Sequence, residues 1–559
     1  MKRVRLLFLL VSLSLSANLS AAPFDMILTG DPVLEDIRFL SLTSGRTFLS
    51  FTPPLAPAVV ENFLDSIDPS LLPEPAQQAY DRIRDRLIPQ AAFSFESDNL
   101  SVLLDINATL EGRARFNNDI SWYPAHPDIS PLLSLPLRFH FGNTVQLYID
   151  PSVSMMHGSF SPADSGFAHN VPQGYGTYDS DMPFRAFIAA GGPWWNFQLG
   201  RDRLFWGTGH TGSLSFSDNA DFFEFARVSF FSRFLKYSVV VNQMPLRITD
   251  SLYSGPRDPE YPDSFPWRNP DSLRRTTQRH FYMHRLDVSL FRDRLSIGLM
   301  EGVMVGDSPL EIRFLNPMMI FHSLFAWRDY YGWGEGPPGS STTDMVGSFF
   351  SAEVNWHITS ALSFHGQMVM NEFATSGELR HNPEQPPNAL GYMAGLTFAR
   401  SFNTWGSVFF LEFIYTDPYL YMMSTPFASF IHMRRPGLAR YYLIGHSRDT
   451  ISVTLGGRFF NSNTLNLTGV FSWVASGELN KGGLTWNWTD DPASGAFDRR
   501  TLDGIAEYKF IATLGAEWRL MPRLGLSSSV TGIVARNNNH VQSSNALGGQ
   551  MSFAVSWRH

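Results

Sequence analysis

The chain has 559 residues, a formal net charge of −8 and no cysteine. The acidic balance does not suggest a nucleic-acid partner. The missing cysteine excludes disulfides, thiol catalysis and cysteine-bound zinc, and also a lipoprotein anchor at the signal-peptide cleavage site predicted below. Aromatic residues reach 14%, yet no stretch after residue 22 is apolar for the roughly 18 residues that a membrane helix needs. A transmembrane β-barrel has this composition, because only alternate residues of each strand face lipid.

The first residues predict an export signal. Three basic residues within the first five precede an apolar, serine-containing run over 6–17, and small residues follow up to Ala22. We therefore predict a signal peptide over 1–22, cleaved after Ala22. The alternative is a buried N-terminal helix, since the run is too short to span a bilayer.

Residues 23–93 predict a small helical segment, which we place on the periplasmic side of the membrane. Prolines open two stretches, over 58–64 and 74–88, and in the second stretch apolar residues recur every three or four positions. The alternative is a flexible periplasmic linker.

From residue 94 to residue 559 the apolar period changes to two, which predicts strands with one apolar and one polar face. Clear examples of this alternation are 100–110, 137–149, 350–358 and 510–520. At roughly 25 residues per strand with its connection, the tract holds about 16 to 20 strands. The polar stretches predicted as loops are 151–183, 250–279, 329–347 and 376–390. We predict an all-β fold, a transmembrane antiparallel β-barrel in the cell outer membrane.

The alternation also predicts which side chains face lipid and which face the lumen. The residues assigned to lipid are Val102, Leu104, Ile106, Val145 and Leu147, and those assigned to the lumen are Asp105, Asn107, Arg138 and Gln146. The last strand, 551–557, alternates strictly and places Trp557 near the C-terminus. Outer-membrane barrels commonly end in such a strand, which the barrel assembly machinery reads, although here Arg558 and His559 follow the aromatic residue.

The densest polar and aromatic motif covers residues 199–225. Gly207 and Gly209 allow a tight turn, and an aromatic ring beside Arg, Asp and Asn suits a sugar, whose apolar face meets the ring and whose hydroxyls meet the planar groups. The alternative is a packed turn in which Arg–Asp pairs brace the barrel wall. The candidate side chains of this motif are Arg201, Asp202, Arg203, Trp206, His210, Asp218, Asn219 and Asp221.

No other motif indicates a cofactor or a metal. The glycine spacing around Gly207 lacks the Lys-Ser/Thr pair of a phosphate loop, and no His-Glu-x-x-His sequence is present. We therefore predict neither a cofactor nor a metal site.

An ordered series of short motifs resembles the capsule assembly Wzi family. The matching stretches are 200–207, 217–221, 284–287, 295–301, 314–317, 367–373, 412–419 and 443–446. The resemblance covers roughly 95–460 and implies an outer-membrane barrel of about 18 strands, with a small helical bundle near its periplasmic mouth. It also implies a lectin-like, non-catalytic role in holding capsular polysaccharide at the cell surface. Three further candidates in these stretches, Arg285, Glu301 and Asn316, complete the candidate glycan cluster.

Three functions compete at this point. The first is binding or attachment of a surface polysaccharide by a monomer whose other partners are outer-membrane lipid and the barrel assembly machinery. The second is a porin or solute channel, because a barrel of this size can enclose a lumen. The third is a surface hydrolase, which needs two placed carboxylates or an activated serine. No recognisable catalytic motif is present, so we predict that the protein is not an enzyme.

Overall fold

The computed structural model describes residues 24–117, 120, 130–155, 166–174, 177–179, 184–217, 222–244, 246–247, 276–277, 279–306, 310–316, 318–319, 346–372, 388–423, 428–435, 439–442, 447–461, 464–481 and 500–558. The predicted signal peptide lies outside these residues, as do Asp218, Asn219 and Asp221. In the described part, no helix is long and apolar enough to cross a membrane.

Three helices precede the strands: α1 (Val33–Ser44), α2 (Pro57–Leu64) and α3 (Glu74–Arg86). Pro57 opens α2 at its first turn, where the missing N–H costs nothing, and Gly45 ends α1 with a φ of 66°. Their apolar faces bury one another, and Arg82 of α3 donates two hydrogen bonds, of 2.9 and 2.6 Å, to Asp36 of α1. The two helices expected from the proline-bounded stretches are present, and α1 is an additional one.

The strands begin at Phe93. Their bounds are β1 (Phe93–Ser97), β2 (Leu100–Leu104), β3 (Asn107–Phe116), β4 (Leu133–Ser134), β5 (Leu137–Phe141), β6 (Val145–Ile149), β7 (Ser152–Val153), β8 (Gly166–His169), β9 (Ala186–Gly191), β10 (Trp195–Asp202), β11 (Phe223–Phe231), β12 (Leu235–Gln243), β13 (Leu246–Arg247), β14 (Thr276–Thr277), β15 (Arg279–Leu290), β16 (Leu295–Gly306), β17 (Val346–His357), β18 (Leu362–Glu372), β19 (Ala389–Phe402), β20 (Trp405–Thr416), β21 (Ile431–Arg435), β22 (Ala439–Tyr442), β23 (Thr450–Asn461), β24 (Leu465–Ser476), β25 (Glu507–Met521), β26 (Leu524–Arg536) and β27 (Asn545–Arg558).

One antiparallel sheet contains 23 of the described strands, and β13–β14 and β21–β22 form two small separate ribbons. The last strand, β27, pairs with β3, and β2, which leads into β3, pairs with β5. The first and last long strands are therefore neighbours, as a barrel requires. The strand number exceeds the expected value of about 18. Short interruptions split continuous segments into β2 and β3, β4 and β5, and β6 and β7, which accounts for three of the extra strands. The others are β1, which pairs with β2, and the short β8, which pairs with residues 112–115 of β3.

The predicted register is confirmed by burial. Leu147 is 39% exposed on the outer surface, whereas its neighbour Gln146 is fully buried. Arg138 is buried as well and reaches Asp105 on the adjacent segment at 2.7 Å. The outer surface is thus apolar and the inner surface polar along this part of the wall, as expected of a barrel embedded in an outer membrane.

The two ends of the barrel differ in their connections. Short turns such as 142–144, 232–234 and 291–294 lie at one end, which we call the turn end. The strands β10, β12, β16, β18, β20 and β24 lead into their long connections at the other end, the loop end. In outer-membrane barrels the short turns are periplasmic. Arg46 and Arg233 both contact Asp293 in one of these turns, at 3.2 and 3.1 Å, so the helical segment enters at the turn end.

The interior of the barrel contains an apolar core that the alternating pattern did not predict. Inward-facing Phe225, Phe281, Met300 and Phe349 pack around Trp206 and its loop. Inward positions were expected to be polar, but here they meet protein rather than water, so apolar side chains are favoured.

Candidate functional site

The predicted glycan motif begins with a loop that folds into the barrel. Phe205 and Gly207 donate backbone hydrogen bonds of 3.3 and 3.0 Å to Pro53 and Phe51 of the N-terminal segment. Gly207 has a φ of 150°, and a Cβ there would lie 3.0 Å from the Ser213 hydroxyl. Trp206 is consequently fully buried within the apolar core. The loop joins the N-terminal segment inside the lumen.

Asp202, at the end of β10, is also buried. Its carboxylate lies 3.0 Å from Nε of Arg185 and accepts hydrogen bonds from Gln198, at 2.9 Å, and from the Arg203 amide, at 2.7 Å. Both carboxylate oxygens are engaged by neighbouring groups of the wall, so Asp202 has the surroundings of a bracing residue. Arg203 itself lies toward the loop end, with its guanidinium 5.4 Å from the centre of the Phe222 ring.

Arg285 forms a second interior network. Its guanidinium lies 2.7 Å from Asp287 and 3.1 Å from Glu353, and 5.8 Å from the centre of the Trp206 ring. Asp287 additionally accepts a hydrogen bond of 2.8 Å from Ser50 of the N-terminal segment. The network therefore ties the wall, the inward loop and the N-terminal segment together.

His210 lies at a third interior cluster, centred on Glu412. The Glu412 carboxylate accepts hydrogen bonds from the amides of His210 and Thr211, at 2.8 and 3.0 Å, and contacts the His365 ring at 2.9 Å. The His210 ring stacks on Phe410 with a centroid distance of 4.3 Å. Burial, aided by the charges of Arg38 and His365, lowers the pKa of His210 to about 3. The ring is therefore neutral in this cluster.

The remaining described candidates lie outside the lumen. Arg201 faces outward and pairs with Glu224 on the next strand at 2.5 Å, with the two side chains 40% and 45% exposed. Glu301 is also on the outward register, opposite His284, whose ring contacts the Phe314 carbonyl at 3.0 Å. Asn316 is exposed just beyond this contact. The segment around Phe314 thus packs against the outer wall of the barrel.

The predicted cluster is therefore not one site. Asp202, Trp206, His210 and Arg285 belong to the interior, whereas Arg201, Glu301 and Asn316 lie on the outer face, because neighbouring strand residues point to opposite sides. Sequence reasoning did not single out Glu412 and Gln367, which hold the loop: Gln367 accepts a hydrogen bond of 2.6 Å from the Leu214 amide. Both residues lie in stretches that resemble the Wzi family and on inward strand positions, but neither was named as a candidate.

No family model and no curated protein matches this chain. Among solved structures, the chain is similar to Wzi of Escherichia coli, with a TM-score of 0.54 and 14% identity over 95% of this chain and 99% of that one. It also aligns with the outer-membrane channel DcaP of Acinetobacter baumannii, with a TM-score of 0.38 and 8% identity over 84% of this chain and 100% of that one. The similarity to Wzi is a similarity of fold, that of an outer-membrane β-barrel.

Proposed function

We propose that the protein binds or anchors a surface polysaccharide without chemistry, as a lectin-like barrel in capsule assembly or attachment. The observation that carries this proposal is a barrel of Wzi-like fold whose described interior is filled by protein around Trp206 and the N-terminal segment. The Wzi structure is described as a carbohydrate-binding β-barrel involved in group 1 capsule assembly. A filled barrel can present a binding surface in the membrane without a wide pore.

The filled interior disfavours the alternative of a porin. Trp206, Phe216 and Phe281 pack edge to face near the loop end, with ring centroids 5.4 and 5.5 Å apart, and all three are almost fully buried. The N-terminal segment fills the space below them and contacts the same loop. A hydrated ion would have to displace an apolar core to pass, which is costly.

The side chains best placed for glycan contact are the accessible ones at the loop end. Arg203 and Phe222 combine a planar cation with an aromatic ring 5.4 Å away, which suits the edge and face of a sugar. The interior candidates, Asp202, Trp206 and Arg285, support the loop and are expected to act only through folding. We place His210 with these supporting residues, because its backbone amide bonds to Glu412 and its ring bonds to the Thr397 hydroxyl.

The proposal is tested by surface-glycan retention in cells that carry Arg203→Ala or Phe222→Ala. We expect both variants to assemble normally and to release glycan into the medium. Arg400→Ala is the matched control, because Arg400 also lies 4.7 Å from an aromatic ring, that of Phe402, but at the turn end. Normal glycan retention by both variants, with assembly unchanged, contradicts this assignment of the contact residues.

Two further measurements address the alternatives. The purified protein in planar bilayers is expected to pass little current, and a stable, large conductance would favour a solute channel. Glycan recovered from cells is expected to keep its chain length, and shortened glycan that depends on this protein would favour a hydrolase.

A further inference from the structure

The barrel contains a cavity that the proposed function does not use. It has a volume of about 740 Å³ and lies between the helical segment and the wall at the turn end. Residues from α1, α3 and several wall strands line it, including Tyr148, Arg185 and Arg519. Its volume falls within the roughly 300–1,000 Å³ typical of ligand pockets.

The charges around the cavity are largely matched. Arg86 pairs with Asp31 at 2.7 Å, Arg82 with Asp36 at 2.6 Å, and Arg138 with Asp105 at 2.7 Å. Fixed ion pairs of this kind present hydrogen-bonding edges but little net charge. A phosphate or a carboxylate ligand needs unmatched cations, so an anionic ligand fits poorly.

Above the cavity the inward face of the wall changes to small hydroxyl residues. Arg519 lines the cavity, and the inward positions that follow on β25 toward the loop end are Glu517, Gly515 and Thr513. On the neighbouring strands, Ser529 and Ser552 share a hydrogen bond of 2.6 Å, and Thr513 and Thr531 share one of 3.0 Å. Ser529, Ser552 and Thr513 are only half-buried, whereas the inward residues Gln146 on β6 and Gln198 on β10 are fully buried.

The hydroxyl-lined space ends in an apolar cap. Ile120, Ile511 and Ile533 pack together with Val474 and Ala546, one step further along the same inward rows. Arg519 belongs both to the cavity lining and to this inward row, so the hydroxyl wall adjoins the cavity. We treat the two as one chamber beside α3 and β24–β27, open at the turn end and capped toward the loop end by the isoleucine cluster. We call it the turn-end chamber.

We propose that the turn-end chamber binds an uncharged oligosaccharide segment from the periplasm. Serine and threonine hydroxyls both donate and accept hydrogen bonds, as sugar hydroxyls do. Each protein hydroxyl can therefore act as donor or acceptor toward a sugar hydroxyl. The paired Arg and Asp groups add planar donors and acceptors at the mouth. This inference does not rest on the proposed surface role, because the chamber opens on the opposite side of the membrane.

Calorimetric titration of the purified full-length protein with maltotriose, and with a trimer of galacturonic acid as the charged probe, tests the ligand class. We expect binding of the neutral sugar and at least tenfold weaker binding of the charged one. Ser529→Phe should fill the chamber and weaken maltotriose binding by about tenfold or more. Ser528→Phe is the matched control, because Ser528 faces outward on the same strand and pairs with the exposed Phe553. No binding by the wild-type protein, or equal effects of the two variants, overturns the proposal.

A labelling experiment covers the case in which Ser529→Phe fails to fold. Because the chain has no cysteine, Ser529→Cys provides a single thiol inside the chamber, and maltotriose should slow its reaction with a maleimide. In intact cells, a polyethylene-glycol maleimide too large to cross the outer membrane should leave this thiol unlabelled until the membrane is permeabilised. If maltotriose does not slow the labelling of this cysteine, the chamber is not the ligand site. If the cysteine is labelled in intact cells, the chamber is not closed toward the loop end.

Discussion

Replacing Arg285 by alanine separates a bracing role from a binding role. In the structure the guanidinium lies between Asp287 and Glu353, at 2.7 and 3.1 Å, and all three side chains are at most 7% exposed. Removing the cation leaves two buried carboxylates without their countercharge. Breaking a buried pair in this way costs about 3–5 kcal/mol, so we expect the free energy of unfolding to fall by about that amount.

Arg201→Ala is the matched control. Arg201 also pairs with a carboxylate on the neighbouring strand, but the two side chains are 40% and 45% exposed. Such surface pairs contribute about 0–1 kcal/mol, and we expect unfolding in urea and heat-modifiable migration to change little.

A triple variant tests the electrostatic cause directly. Arg285→Met combined with Asp287→Asn and Glu353→Gln removes all three charges, and neutral replacement of a buried ionic network is often tolerated. We expect the triple variant to be more stable than Arg285→Ala alone. If Arg285→Ala unfolds like the wild type while glycan retention is lost, the bracing interpretation is wrong and Arg285 binds ligand.

Three further predictions follow from the same structure. Leu147→Arg should impair assembly, because arginine facing lipid near the membrane midplane costs roughly 2–4 kcal/mol, whereas normal heat-modifiable migration would contradict the register. Deleting 58–88 should leave the barrel assembled but raise its conductance in planar bilayers, since these residues pack in the interior; unchanged current would indicate that they do not obstruct it. The folded protein holds His210 neutral, with its pKa lowered from 6.5 to about 3, so acid favours the unfolded state, which binds the proton first. Stability should therefore fall as the pH drops from 6.5 toward 3, and His210→Gln should reduce this loss in acid unfolding curves.

The alternation of apolar and polar residues was enough to predict the barrel and its register. A period of two needs two different environments, and at Gln146 and Leu147 the structure places one residue in each. The proline-bounded stretches likewise predicted α2 and α3, since proline at a first turn favours a helix start. The alternation and the proline positions are properties of the local sequence, so they can be read without knowing which distant segments pack together.

The candidate site could be predicted only in part. The motif around Trp206 was recognised, but its residues were grouped by their closeness in sequence. Arg201 and Asp202 are adjacent in the chain and point to opposite faces of the wall. Glu412, which receives the His210 amide at 2.8 Å, lies 202 positions away, and no local pattern connects the two.

By itself the sequence determined that the chain forms strands with a lipid face and a lumen face, preceded by short helices. Only the tertiary structure decided what fills the lumen. Whether an inward residue meets water, a helix or a folded-in loop depends on contacts between distant segments, such as Ser50 with Asp287 and Phe51 with Gly207. An inward serine and an inward phenylalanine follow the same period of two, so the pattern cannot distinguish the apolar core around Trp206 from the hydroxyl-lined chamber beside β25.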